Sequence, residues 1–348
     1  MIPDVNAHIH TPYSFSAFGS ISEALDGAAA EGVKVVGIND FYSTEGFLEW
    51  RDGCAERALY PLYGIEFIAL DTKLQASGLR VNDPGNAGRI YLSGKGLACP
   101  PTLSGEPAAE LSRVRSEANA HSARMCEKLN AYLDSEGCAV QLDFEQIKSS
   151  LTCGLVRERH LAKALRLALY PDADDPAALE NELRSRLLKA GGPAFVPEDP
   201  AAFLPVQSVK GIIEAAGGMA TYPFLGDNAK GGFTDFESDL QKAADQLRSL
   251  GICSAEFITT RNSTAVLEQY ATYLQDEGFV VSFGSEHNTP AMEPLRLRTR
   301  DCGALSEKLR AIAYRGVCAI AAHQAGLRLP REAMIEEGDK MIQSVVSE

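Results

Sequence analysis

Short apolar runs alternate with amphipathic helical patterns along most of the chain. Residues 5–9 form the first run, and Ser20 and Ser22 open a helix in SISEALDGAAAEG. Runs at 34–39 and 62–70 follow, with a short one at 89–92. The alternation resumes with a helix at 208–216, a run at 219–222, a helix at 236–250, a run at 253–259, a helix at 265–276 and a run at 279–283. Strands separated by helices predict a parallel sheet, and this many repeats predict closure into a barrel.

Residues 101–200 break the pattern. They carry helical periodicity at 112–135, 144–150, 158–169 and 179–189, without a clear strand, between the Pro-rich stretches CPPT (99–102) and PEDP (197–200). The expectation is an α/β fold, a distorted (β/α)7 TIM-like barrel of about seven parallel strands. It is built in two parts, 1–100 and 201–348, with 101–200 a helical insertion over one face.

Net charge and cysteine usage narrow the function. A net charge of −14 argues against nucleic acid, which needs a basic surface. The eight cysteines, Cys302 among them, have no CxxC pairing and read as free, mostly buried thiols of a reducing cytoplasm. No apolar run approaches the roughly 20 residues of a membrane span, and MIPDVNAHIH lacks the layout of a signal peptide. The expected partner is a small molecule, anionic in one reading, with neither nucleic acid nor membrane.

The candidate chemistry starts at His8-Ile9-His10. Residues two apart on a strand share a face, so both imidazoles converge on one spot, and neutral imidazoles suit zinc, manganese or iron. Asp40, Glu66 and Glu286 each follow an apolar strand, at the end where barrel chemistry collects. Arg157, Arg159 and His160 form a basic cluster suited to an anionic substrate group, and Arg261 is placed on the same rim.

Six blocks in order resemble the PHP (polymerase and histidinol phosphatase) family, in its insertion-bearing phosphoesterase branch. They are DVNAHIHTPYSFS, GINDFYST, YGIEF, RERHLAKAL, the ATYP approached through VKGIIEAAGGM, and FGSEHN. The resemblance implies up to three metals in ordinary members, and here the departures are informative. Phe15, Phe41 and Asn288 stand where one metal site would have its ligands, and Tyr91 and Tyr222 where a second would. The one set retained is His8, His10, Glu66 and Glu286.

The resemblance therefore implies a hydrolase with one divalent ion (Zn, Mn or Fe), with a phosphoesterase acting on a small phosphorylated metabolite as the leading reading. The ion would activate water, Glu286 would act as ligand and base, and His287 as acid. The alternatives are hydrolysis of an amide or lactone bond in a pocket lined by Phe15, Phe41, Tyr91 and Tyr222, or a non-catalytic protein that keeps a metal or ligand.

Overall fold

The structure is a computed structural model that describes residues 2–228, 232–301 and 303–347. Seven strands form one sheet in chain order: β1 (Asp4–Ile9), β2 (Val33–Phe41), β3 (Tyr60–Leu70), β4 (Arg89–Lys95), β5 (Met219–Phe224), β6 (Ser254–Ile258) and β7 (Val280–Gly284). The sheet curls until β7 meets β1. At that seam Glu286 N donates to His8 O and His10 N donates to Glu286 O, both at 2.8 Å. Gly284 makes the seam possible, because a Cβ there would stand 2.2 Å from the His8 Cβ. The expected distorted TIM-like α/β barrel is therefore observed.

One strand departs from the expectation. β4 runs antiparallel to both β3 and β5, while the remaining pairs are parallel. A parallel return needs a crossover of a dozen or more residues, usually helical. The 71–88 connection is long enough for one but holds only the five-residue helix Thr72–Ala76 and returns Arg89 to the side of Leu70, so the chain turns back beside β3. Tyr91 is thereby brought to the mouth of the barrel and Lys95 is sent deep inside.

Helices cover the sheet where the periodicity placed them, and their starts have physical causes. Ser20 caps Ile21–Ala30 by accepting from Glu23 N. Asp239 caps Leu240–Ser249 by accepting from Lys242 N, which starts that helix four residues later than its apolar pattern suggests. Between β4 and β5 lie the helices Gly105–Ser135, Phe144–Leu151, Glu158–Leu169 and Pro176–Leu183. They enclose a small core of their own around Leu129, Leu133, Leu161, Leu165 and Leu187, separate from the barrel core.

Among the described cysteines none forms a disulfide. Cys54, Cys126 and Cys318 are buried, whereas Cys153 and Cys253 are exposed; Cys302 lies outside the described residues. No helix among the described residues is long and apolar enough to cross a membrane.

Candidate metal centre

β1 delivers His8 and His10 to the barrel mouth on one face. β3 delivers Glu66, paired in register with Phe41 of β2 and Ser93 of β4. Glu286 joins them through the seam. The four side chains are buried, and each offers one ligand atom within 4.8 Å of the others.

The hydrogen bonds behind the two imidazoles decide which nitrogen faces the cluster. The Ser14 hydroxyl donates to Asp40 Oδ1 at 2.6 Å. With its proton committed, the Ser14 oxygen 3.0 Å from His10 Nδ1 can only accept, so that nitrogen carries the hydrogen. His8 Nδ1 stands 3.1 Å from the Glu256 carboxylate. Both Nε2 atoms point into the cluster, 3.1 Å from each other. Glu66 Oε2 lies 3.2 Å from His10 Nε2 and 4.0 Å from His8 Nε2.

The two Nε2 atoms and Glu66 Oε2 thus gather at one point, with Asn39 Nδ2 3.1 Å from His8 Nε2. Glu66 Oε2 is buried and has no hydrogen-bond partner. Burial pushes the Glu66 carboxyl up to about 8, its acidic neighbours Glu286 and Glu256 adding to the effect against His8. His10 is held well below its usual range by burial and by His8 beside it, so its imidazole is neutral. Around a tetrahedral zinc with bonds of about 2.0–2.1 Å, ligand atoms stand roughly 3.3–3.4 Å apart. The 3.1 and 3.2 Å separations here come close to that spacing. Two imidazoles and two carboxylates are a donor set for a divalent ion, and these residues fit one.

The cluster forms the floor of a cavity of about 260 Å³, whose walls include Phe15, Phe41, Tyr91 and Asn288. Phe41 stacks on His10, ring centres 5.2 Å apart, and carries the Arg157 guanidinium 4.3 Å from its own centre. Arg159 lies over Phe15 at 5.7 Å. Arg184 and Arg261 also line the cavity, the latter hydrogen-bonded to Glu286 Oε2. Burial and the adjacent Arg184 bring Arg159 down to about 10. A desolvated cation beside another cation is favourable to an anionic ligand. Burial alone would raise the Glu158 carboxyl, yet Arg184 and Lys189 pair with it and bring it to about 2.

Three expected site residues are placed elsewhere. The His287 ring does not line this cavity. Its Nδ1 meets Ser285 Oγ at 2.8 Å and its Nε2 meets Glu293 O at 2.7 Å. A carbonyl can only accept, so Nε2–H is committed and no acid is offered to the cluster. His160 is buried beneath the rim, where its Nδ1 accepts from Arg157 N at 2.9 Å and caps the helix Glu158–Leu169. Burial drives it down to about 3, so it presents no positive charge. Tyr222 is fully buried and donates to Glu237 Oε1 at 2.9 Å. Burial and that carboxylate raise its phenol well above the usual value, which removes it as a phenolate ligand and as a pocket residue. Tyr91, Arg157, Arg159 and Arg261 do line the cavity.

Sequence reading missed the polar residues beneath the cluster, chiefly Glu256 and Lys95, which are buried inside the barrel. The available signal was a charge within an otherwise apolar strand, Glu256 in SAEFI. It also missed Arg184, which reaches the cavity from the insertion.

The sequence matches no family model and no curated protein. Solved structures do match. One is an amidohydrolase from Chromobacterium violaceum with bound sulfate and no metal (TM-score 0.62, 18% identity, covering 89% of this chain and 96% of that one). Another is a candidate metal-dependent phosphoesterase from Bifidobacterium adolescentis (TM-score 0.62, 17% identity, covering 90% and 96%). At such identities the likeness shows the fold, a barrel shared along nearly the whole length.

Proposed function

We propose that this chain is a metal-dependent hydrolase of the PHP type, a phosphoesterase for a small phosphorylated metabolite that works with a single divalent ion. The observation that carries the reading is the meeting of His8 Nε2, His10 Nε2 and the unpartnered Glu66 Oε2 under an arginine-lined cavity. His8, His10, Glu66 and Glu286 would hold the ion. When bound, it would supply Lewis-acid polarisation of a phosphoryl oxygen and activation of water.

The chain's own residues do the rest. Arg157 and Arg159, spread on phenyl rings, and Arg261 at the rim bind and orient the phosphoryl group through charge-assisted hydrogen bonds. Tyr91 shapes the opposite wall. Glu286 accepts the proton lost by the attacking water. The arginines favour this reading over amide or lactone hydrolysis, because the rings that would make an apolar pocket carry guanidinium groups.

The test is metal analysis of protein purified without chelators, followed by a panel of small phosphoesters, amides and lactones with and without chelator. Chelator-sensitive phosphate release is expected. A metal-loaded protein that cleaves only amides or lactones overturns the phosphoesterase reading, and a protein that takes up no metal overturns the whole of it.

A further inference from the structure

Beneath His8, away from the cavity, the barrel interior contains a closed polar group that the hydrolase reading leaves unused. Barrel interiors are ordinarily filled by layers of branched apolar side chains. Here Glu256 Oε2 lies 3.1 Å from His8 Nδ1 and 2.8 Å from Lys95 Nζ, while Glu256 Oε1 accepts from Ser93 Oγ at 2.6 Å. The Lys95 ammonium has three protons, and all are used: one on Glu256, one on Ala7 O at 2.9 Å and one on Asn39 Oδ1 at 3.1 Å. Asn39 Nδ2 donates to Ser93 Oγ at 3.2 Å and completes the circuit. It also lies 3.3 Å from His8 Nδ1 and 3.1 Å from His8 Nε2.

A buried ion pair of this kind is weak evidence for stability, since apolar side chains of similar volume often do as well. Its geometry gives it another use. A neutral imidazole has two tautomers, and they have opposite consequences here. With the hydrogen on Nδ1, His8 presents a lone pair to the cluster. With the hydrogen on Nε2, it would donate across 3.1 Å to His10 Nε2 and close the site upon itself.

We propose that Glu256, held in place by Lys95, is a positioning residue that fixes the Nδ1–H tautomer of His8 and keeps its Nε2 open as a metal ligand. This rests on the metal reading above. Carboxylate partners of ligating histidines are a recurrent device, and their loss lowers metal affinity about 10–100-fold. His10 is held separately, through Ser14 and Asp40, so it serves as an internal control.

The test uses the full chain labelled with 15N at histidine, in long-range proton–nitrogen NMR after chelator treatment, with zinc affinity measured by competition against a chromophoric chelator. In Lys95→Met with Glu256→Met the acceptor behind His8 Nδ1 is removed without a stranded charge, which frees the ring to adopt the opposite tautomer. The expected result is a His8 signal that moves from Nδ1–H to Nε2–H, an unchanged His10 signal, and zinc affinity lower by about 10–100-fold. An unchanged His8 tautomer, or zinc affinity within about twofold of wild type, overturns the proposal. Should that pair fail to fold, Lys95→Met with Glu256→Gln gives the same two readings, because without the ammonium the amide can turn its NH2 towards His8 Nδ1. A wild-type chain that takes up no zinc, manganese or iron would defeat the metal reading instead, and with it the premise of this proposal.

Discussion

His8 and His10 turn their Nε2 atoms towards each other at 3.1 Å. The HxH spacing alone brings the rings to one face, but it does not orient them. Two carboxylates do that by different routes, Glu256 directly and Asp40 through Ser14. Asp40 accepts two further hydrogen bonds, from Thr11 N at 2.7 Å and Thr11 Oγ1 at 2.5 Å, so its end of the relay is rigid. The site thus gathers two imidazole nitrogens and two carboxyl groups at one point, a donor set for a cation.

Glu66 should separate metal binding from folding. Its Oε2 is buried without a partner, so the carboxylate costs the metal-free fold something. Glu66→Gln should leave the chelator-treated protein as stable as wild type, or more stable by about 1–3 kcal/mol. It should also abolish the rise in melting temperature that added zinc or manganese gives the wild type, a rise worth about 2.7 kcal/mol at a hundredfold excess over Kd. Thermal melts with chelator and with metal measure both effects. An equal metal-induced rise in the variant would remove Glu66 from the ligand set.

One metal per chain is the second expectation. Phe15, Phe41 and Asn288 line the same cavity, and phenyl rings offer no ligand atom. Arg157 lies over Phe41 and adds a positive charge where a second cation would have to come. Elemental analysis should therefore find about one equivalent in wild type, and no second one in Phe41→His while Arg157 is retained. Two or more well-occupied ions in the wild type would contradict the reduced site.

How much of this was legible in the sequence depended on whether a residue's role is local. His8 and His10 declare themselves through a two-residue spacing on one strand, and Glu66 and Glu286 through their places at the ends of apolar runs. The direction of β4 was hidden because strand polarity depends on whether the connection crosses the sheet, and 71–88 is long enough for either outcome. His287, His160 and Tyr222 carry the residue types of a site, yet each is engaged by a partner outside the metal cluster: Glu293 O, Arg157 N and Glu237. Such partners arise from loop and helix-cap geometry that spacing does not encode. The tautomers of the two ligand histidines depend on residues 248 positions away in one case and 4 in the other. Only the shorter of these lies within reach of a local pattern.

Glu237 predicts a pH dependence remote from the metal centre. Burial pushes its carboxyl up to about 7, against hydrogen bonds from Leu225 N, Gly226 N and Tyr222 OH. A carboxyl whose folded value lies above its unfolded one keeps its proton longer in the native state. Its stabilising contribution is complete below the unfolded value near 4.5 and is lost as pH rises through 7. Urea midpoints of wild type relative to Glu237→Gln should fall between pH 5 and 8, at most by about 1.4 kcal/mol per pH unit. Parallel curves for the two proteins over that range would rule the effect out.

Arg261 gives the sharpest expectation, because two affinities should move in opposite directions. Its guanidinium is hydrogen-bonded to Glu286 Oε2 and is partly open to the cavity. A divalent ion at the cluster would claim the same carboxylate, so Arg261 competes with the ion for Glu286. An anion in the cavity would instead recruit the guanidinium. The backbone cannot easily move aside to serve both, since Glu286 and His287 have φ values of +72° and +58°. The seam hydrogen bonds to His8 and His10 hold Glu286 there. Such left-handed conformations are uncommon for non-glycine residues and persist where the surroundings fix them. The adjustment therefore falls to the Arg261 side chain. Arg261→Gln should raise zinc affinity by about tenfold, the equivalent of roughly 1.4 kcal/mol, because the ion no longer displaces a cation. It should lower the affinity for inorganic phosphate by a similar factor, as a charge-assisted partner is gone. Isothermal titration with each ligand, and with both together, measures the two changes. If both affinities fell together, Arg261 would be a structural support of the mouth instead of a residue exchanged between Glu286 and the anion.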